Sequence, residues 1–91
     1  IVVDCSHANS GKDPDRQAIV CKDVAGQVAS GKKSIAGLML ESHLVAGTQK
    51  MQPGKPLTYG QSITDACMSW ETTEELLQEL SQAVDLKRQL P

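Results

Sequence analysis

Phenylalanine is absent from this 91-residue chain, and Trp70 and Tyr59 alone make up an aromatic share of 2%. Each buried aromatic brings about 150–250 Å² to a core, so their scarcity argues against a self-contained mini-fold. A chain of this mass buries roughly 64% of its unfolded surface, which leaves room for one small core and one domain. Neither sign of charge dominates. Nine Lys and Arg stand against eleven Asp and Glu, for a net charge of −2. That balance leaves no electrostatic footprint for nucleic acid. Lys32-Lys33 and Lys87-Arg88 are isolated pairs, read as solvated charges at helix ends. No apolar run approaches the roughly 20 residues that span a bilayer, and no signal-peptide pattern is present. Cys5, Cys21 and Cys67 are odd in number and form no CxxC pair. They argue against a disulfide framework and for reduced thiols in the cytoplasm. The chain opens inside the apolar run Ile1-Val2-Val3, so it is expected to be part of something larger.

What is present reads as alternating strands and helices. Ile1–Asp4 is short, apolar and β-branched, the end of a buried strand. Cys5–Lys12 is small and polar, a loop. Asp13-Pro14 starts a helix, with Asp as N-cap and Pro in the first turn. Val20, Val24 and Val28, with Cys21 and Ala25 beside them, form one helical stripe, and Gly31 is the expected C-cap. Ser34–Leu40 is apolar almost throughout, as in a strand buried on both faces, and Glu41 ends it. Ser42–Gly60 is a long Gly- and Pro-containing loop of the kind that usually carries function. Thr72 and Glu75 predict a capping box for a last helix with Leu76, Leu77, Leu80, Ala83, Val84 and Leu86 on its apolar face. Lys87-Arg88 complements the dipole of its last turn, and Pro91 stops it.

Two successive βα units with buried strands imply a parallel sheet and an α/β fold. Two strands cannot cover both helices, so neighbouring strands are expected. A (β/α)8 barrel of about 250 residues allots roughly 31 to each unit. Residues 1–91 therefore fit two units with one enlarged loop, an incomplete TIM barrel with no second domain.

In such barrels the chemistry lies where strands end. The first strand runs into Asp4-Cys5-Ser6-His7, the second ends in Glu41-Ser42-His43, and the long loop leads to Thr64-Asp65-Ala66-Cys67. His7, Glu41 and Asp65 share one predicted rim, and an imidazole with two carboxylates suits a divalent transition ion. Each has a plainer alternative. His7 reads equally as a hydrogen-bonded rim histidine, and Asp65 as a turn residue or local cap. Glu41 is harder to set aside, because a carboxylate closing an apolar strand needs a partner. Cys5, two residues before His7, alternates with its neighbours and is read as structural. Cys21 and Cys67 read as packing thiols. His43 is a candidate for supporting the ligands from behind. Asp4 is read mainly as a cap on nearby backbone amides. Lys12 and Arg16 lie near a helix N-terminus, but Asp13, Asp15 and Asp23 dilute them into ordinary surface charge.

Four blocks then carry a resemblance. Asp4-Cys5-Ser6-His7-Ala8-Asn9-Ser10, Glu41-Ser42-His43-Leu44-Val45, Tyr59-Gly60-Gln61-Ser62-Ile63-Thr64-Asp65-Ala66-Cys67 and Trp70-Glu71-Thr72-Thr73 resemble, in order and in spacing, the C-terminal end of class I 3-deoxy-7-phosphoheptulonate (DAHP) synthase. The resemblance runs over essentially the whole chain. It implies a (β/α)8 catalytic domain of which residues 1–91 form the last two units. It implies the aldol-type condensation of phosphoenolpyruvate with erythrose 4-phosphate, the first step of the shikimate pathway. It implies one divalent metal ion of the Mn, Fe, Co or Zn class, with His7, Glu41 and Asp65 on the family's His, Glu and Asp ligand positions. His7 is also implied to act catalytically beside phosphoenolpyruvate. The family's cysteine ligand and its phosphate-gripping Lys and Arg residues find no counterpart here, and Cys5 does not replace that ligand. Val45-Ala46-Gly47-Thr48-Gln49 departs from the family's usual Glu-Gly-Asn after the valine. The full-length protein is expected to be a cytoplasmic homo-oligomer with no nucleic-acid or membrane partner, and this chain alone is expected to be inactive. The alternatives are a non-catalytic truncated paralogue serving as a binding module, and a related phosphoenolpyruvate-using aldol synthase of the octulosonate-phosphate type.

Overall fold

A computed structural model describes residues 1–91. Strand β1 (Val2–Asp4) and strand β2 (Gly37–Met39) pair in parallel, in the register Val2↔Gly37, Val3↔Leu38 and Asp4↔Met39. Helix α2 (Pro14–Ala29) makes the crossover between them, as a parallel pair requires. The βαβ reading of the sequence is therefore the observed one. The second strand is shorter than Ser34–Leu40 because pairing extends only as far as β1 reaches. The Ala36 amide donates to the Ile1 carbonyl at 2.7 Å and the Cys5 amide to the Met39 carbonyl at 3.0 Å, and there the ladder ends. Neither strand is buried on both faces. The sheet has two strands, so each keeps an open edge.

Helix α2 begins as expected. The Asp13 side chain accepts from the Asp15 amide at 3.0 Å, and Pro14 occupies the first turn. Ser30 rather than Gly31 is the C-cap. Gly31 follows it in the left-handed region at φ +96, where glycine carries no Cβ penalty. The predicted loop after β1 contains α1, the single helical turn His7–Ser10.

The last helix, α3 (Trp70–Arg88), starts earlier than its sequence suggests. Its N-cap is Ser69, whose hydroxyl accepts from the Thr72 amide at 3.3 Å. Thr72 thus lies inside the first turn, and no Thr72–Glu75 capping box forms. The face of α3 that meets α2 carries Thr73, Leu76, Leu80 and Ala83. Leu77, Val84 and Leu86, expected on the apolar face, are exposed. One neighbouring helix covers one stripe, and these residues lie beside it.

The core is small. Cys5, Cys21, Met68 and Leu76 form its centre, with Ala18, Val20, Leu38, Leu40 and Leu80 packed around them. The chain exposes 6211 Å², against about 5,200 Å² for a compact protein of its mass. Its radius of gyration is 15.4 Å, against roughly 12 Å for a compact chain of this length. The exposed residues 50–59 account for part of the difference. No helix is long and apolar enough to cross a membrane.

All three cysteines are free and buried. Burial pushes the Cys21 thiol up from the ordinary 9.0 to about 11. A raised thiol pKa favours the neutral form in the folded state. Its stabilising contribution is complete below pH 9.0 and lost as pH rises towards about 11. Native Cys21 is therefore expected to resist iodoacetamide at pH 8 and to react once the chain is unfolded in urea. Mass spectrometry of the alkylated peptides checks this, and rapid native labelling would contradict it.

Candidate metal centre

Three separate segments build one cluster at the end of the strands. As β1 ends, alternation turns Cys5 into the core, where it is 0% exposed, and Asp4 and Ser6 the other way. Asp4 Oδ1 accepts from the Ser6 amide at 2.8 Å, and Oδ2 lies 2.8 Å from His7 Nδ1. The capping role read for Asp4 is thus present, and the same carboxylate also orients the imidazole. His7 itself sits at φ +48, a left-handed conformation that strains a non-glycine residue by about 1–3 kcal/mol. Its carbonyl accepts from the Lys12 amide at 2.7 Å, and its ring is tied to Asp4, so both ends of the residue are held.

Glu41 stands two residues beyond β2. Its Oε1 is 2.7 Å from His7 Nε2 and accepts from the Ser6 hydroxyl at 2.9 Å. Its backbone is held on both sides by one buried side chain. Gln17 Oε1 accepts from the Glu41 amide at 2.9 Å, and Gln17 Nε2 donates to the Glu41 carbonyl at 3.3 Å.

The long loop folds back to deliver Asp65. Thr48 bridges to Ser62, Gly47 to Cys67 and Ser42 to Met68, while the Met68 amide donates to the Glu41 carbonyl at 3.0 Å. Gly60 makes this return possible. It adopts φ +79, and a Cβ there would stand 2.8 Å from Leu44 Cβ. Asp65 arrives with its side chain 62% exposed and Oδ2 3.3 Å from His7 Nε2.

His7, Glu41 and Asp65 thus come together as their sequence positions suggested. One ligand atom from each lies within 4.8 Å of the others. No lysine or arginine pairs with either carboxylate; Lys22–Glu79 is the one such ion pair, and it lies elsewhere. Of the groups that face the two carboxylates, only His7 can carry a positive charge, and only when its ring is protonated. The Asp4 hydrogen bond raises the His7 pKa most. Partial burial opposes that rise, while the charges of Glu41 and Asp4 and the Asp65 hydrogen bond add to it. Reciprocally, His7 draws the Asp4 pKa down. A nitrogen and two carboxylate oxygens converging on one point, with no fixed cation among them, fit a divalent transition ion. The Asp4–His7 pair is the usual backing for a metal-bound imidazole.

Other sequence candidates fall outside the cluster. His43 is exposed, and its Nδ1 accepts from the Leu44 amide at 2.8 Å. Lys12 and Arg16 are exposed surface charges. Cys5 and Cys67 are buried, with thiol pKa values raised chiefly by desolvation. A cavity of about 630 Å³ lies at the other end of β2 and is lined mainly by apolar groups such as Val28, Leu38 and Leu80. Sequence reading missed Gln17. The signal was there: one turn before Cys21 on the stripe of α2, a polar residue occupies a core position.

Comparison with known proteins shows the family. The sequence model of the DAHP synthetase I family matches residues 1–78. The Phe-sensitive phospho-2-dehydro-3-deoxyheptonate aldolase of Escherichia coli strain K12 is 52% identical over 97% of this chain and 25% of its own length. The corresponding aldolase of Haemophilus influenzae is 57% identical over 97% of this chain and 24% of its own. Among solved structures, the phospho-2-dehydro-3-deoxyheptonate aldolase of Francisella tularensis SCHU S4 superposes with a TM-score of 0.90 at 46% identity, over 96% of this chain and 25% of that one. The chain spans about a quarter of the length of these relatives.

Proposed function

This chain belongs to the DAHP synthetase I family, and from that premise we propose that residues 1–91 form the last two βα units of a single (β/α)8 catalytic domain. The full-length enzyme condenses phosphoenolpyruvate, erythrose 4-phosphate and water to 3-deoxy-D-arabino-heptulosonate 7-phosphate and phosphate. The observation that carries the reading is the convergence of His7, Glu41 and Asp65 at one end of two parallel strands. That is the end at which barrel enzymes of this type hold their chemistry.

His7 Nε2, Glu41 and Asp65 are the residues of this chain that would hold a divalent cation. When bound, such an ion supplies Lewis-acid polarisation of the aldehyde oxygen. The new bond joins C3 of phosphoenolpyruvate to the aldehyde carbon of erythrose 4-phosphate. Water adds at C2, and phosphate leaves by C–O cleavage. The chain's own contribution is positional. Asp4 fixes the imidazole plane through Nδ1 and keeps the ring proton there, so Nε2 presents its lone pair to the site. Ser6 donates to Glu41 Oε1 and sets the angle of that carboxylate. His7 acts beside phosphoenolpyruvate by orienting water or moving a proton. We place the whole enzyme in the cytoplasm as a homo-oligomer.

The test is an assay of the full-length enzyme that follows loss of phosphoenolpyruvate and release of phosphate. Turnover is expected with erythrose 4-phosphate, lost on chelation and restored by a divalent metal. Turnover with arabinose 5-phosphate instead would move the protein to the octulosonate-phosphate class. No turnover with either sugar would favour a non-catalytic module. The 91-residue chain alone is expected to give no product, since the family's phosphate grips and fourth metal ligand have no counterpart in it.

A further inference from the structure

We propose that Gln17 is a positioning residue for the cation site, its buried amide clamping the backbone of Glu41 so that the carboxylate points at His7. The inference rests on the reading of Glu41 as a metal ligand.

Gln17 is 1% exposed and lies in the first turns of α2. The face it shares is otherwise apolar: Cys21, Val24 and Ala25 follow it into the core. An amide at such a position is destabilising unless both its polar atoms are satisfied. Here both are satisfied by the same residue. Oε1 takes the Glu41 amide proton and Nε2 donates to the Glu41 carbonyl. A side-chain amide carries one acceptor and two donor hydrogens, so it can complete this two-bond ring, as a neighbouring strand would.

The position of the clamp explains why it is needed. The last ladder bond between the strands runs from the Cys5 amide to the Met39 carbonyl. Beyond it β1 has turned away towards α1, and Met68, which bridges to Ser42, bonds only the Glu41 carbonyl and leaves the Glu41 amide to another partner. Successive side chains of an extended chain point to opposite faces, so a slip or rotation of one residue would turn the Glu41 carboxylate away from the cluster. Gln17 supplies the bond to the Glu41 amide that no strand makes. The Met68 amide adds a second bond to the same carbonyl, but nothing except Gln17 holds the Glu41 amide. The Ser6 hydroxyl then fixes the far end of the side chain. The start of α2 is thereby coupled to a metal ligand that lies far from it in sequence.

The experiment measures Mn²⁺ affinity of the metal-free full-length enzyme, by competition with a chromogenic chelator, alongside kcat and KM. Gln17→Met keeps the length and apolar stem of the side chain and removes both hydrogen bonds. It is expected to weaken Mn²⁺ binding by about 10–100-fold, the usual effect of losing a partner that orients a ligand. KM for both substrates, measured at saturating Mn²⁺, is expected to stay near the parent value. Gln17→Glu retains an acceptor for the Glu41 amide and loses the donor; it is expected to weaken binding too, and it is read if Gln17→Met does not fold. Mn²⁺ affinity within twofold of the parent in the folded variant overturns the proposal. Glu41→Ala separates the two levels of the argument. If Glu41→Ala loses Mn²⁺ and the Gln17 variant does not, the clamp is refuted and the site stands. If Glu41→Ala also binds Mn²⁺ like the parent, the site itself is wrong and the clamp falls with it.

Discussion

Alanine at Glu41 or at Asp65 is expected to abolish metal-dependent turnover in the full-length enzyme. The loss should exceed the roughly 10–100-fold that follows from removing a residue that merely orients a ligand, because a ligand atom itself disappears. The two substitutions act differently on the surroundings. Glu41 is held by the Ser6 hydroxyl and sits against His7, so its loss also leaves Ser6 without its acceptor. Asp65 is 62% exposed and its carboxylate pairs only with His7, so its loss removes no other hydrogen bond of the site. Both variants are therefore expected to remain folded. Titrating divalent metal against turnover is the check, with circular dichroism confirming the fold. Near-normal rates in either variant at a metal level that just saturates the parent would sink the assignment.

Leu76→Ala should have the largest effect on stability. Leu76 is 1% exposed and meets Cys5 from β1's end, Cys21 from α2 and Met68 from the segment behind Asp65. It therefore joins the end of β1, helix α2 and the segment behind Asp65 in one core. Removing a buried leucine to alanine typically destabilises by about 2–5 kcal/mol, with the larger values where the cavity cannot collapse. Three of the walls here are tied by backbone hydrogen bonds or helices, so a value in the upper half is expected. Urea unfolding of the full-length enzyme measures it, and a change below about 1 kcal/mol would contradict the packing described.

What the sequence revealed depended on how local the cause was. The start of α2 follows from Asp13 and Pro14 themselves, and both act as read. The parallel pairing follows from two apolar segments joined by a helix. The clustering of His7, Glu41 and Asp65 was legible because strand ends in βα units converge whatever lies between them. The start of α3 was less legible, since Ser69 and Thr72 are both good caps and only the entry direction of the chain chooses between them. The length of β2 was set by its partner and not by its own residues. The exposure of Leu77 and Leu86 depends on what packs against α3. Gln17 shows a different limit. Its burial follows from the stripe, but its role depends on a peptide group that approaches only in the folded chain.

The wide spacing of the cluster along the chain has a consequence for folding. A cation shared by His7, Glu41 and Asp65 would be a cross-link that closes two long loops at once. In the unfolded chain these three side chains are dispersed, so the ion binds the folded state almost alone. By mass action, free metal at a hundred times its dissociation constant adds about 2.7 kcal/mol to stability. Metal supply would then govern how much of the protein persists as well as how fast it works, and a chelator would lower the unfolding midpoint with no substrate present.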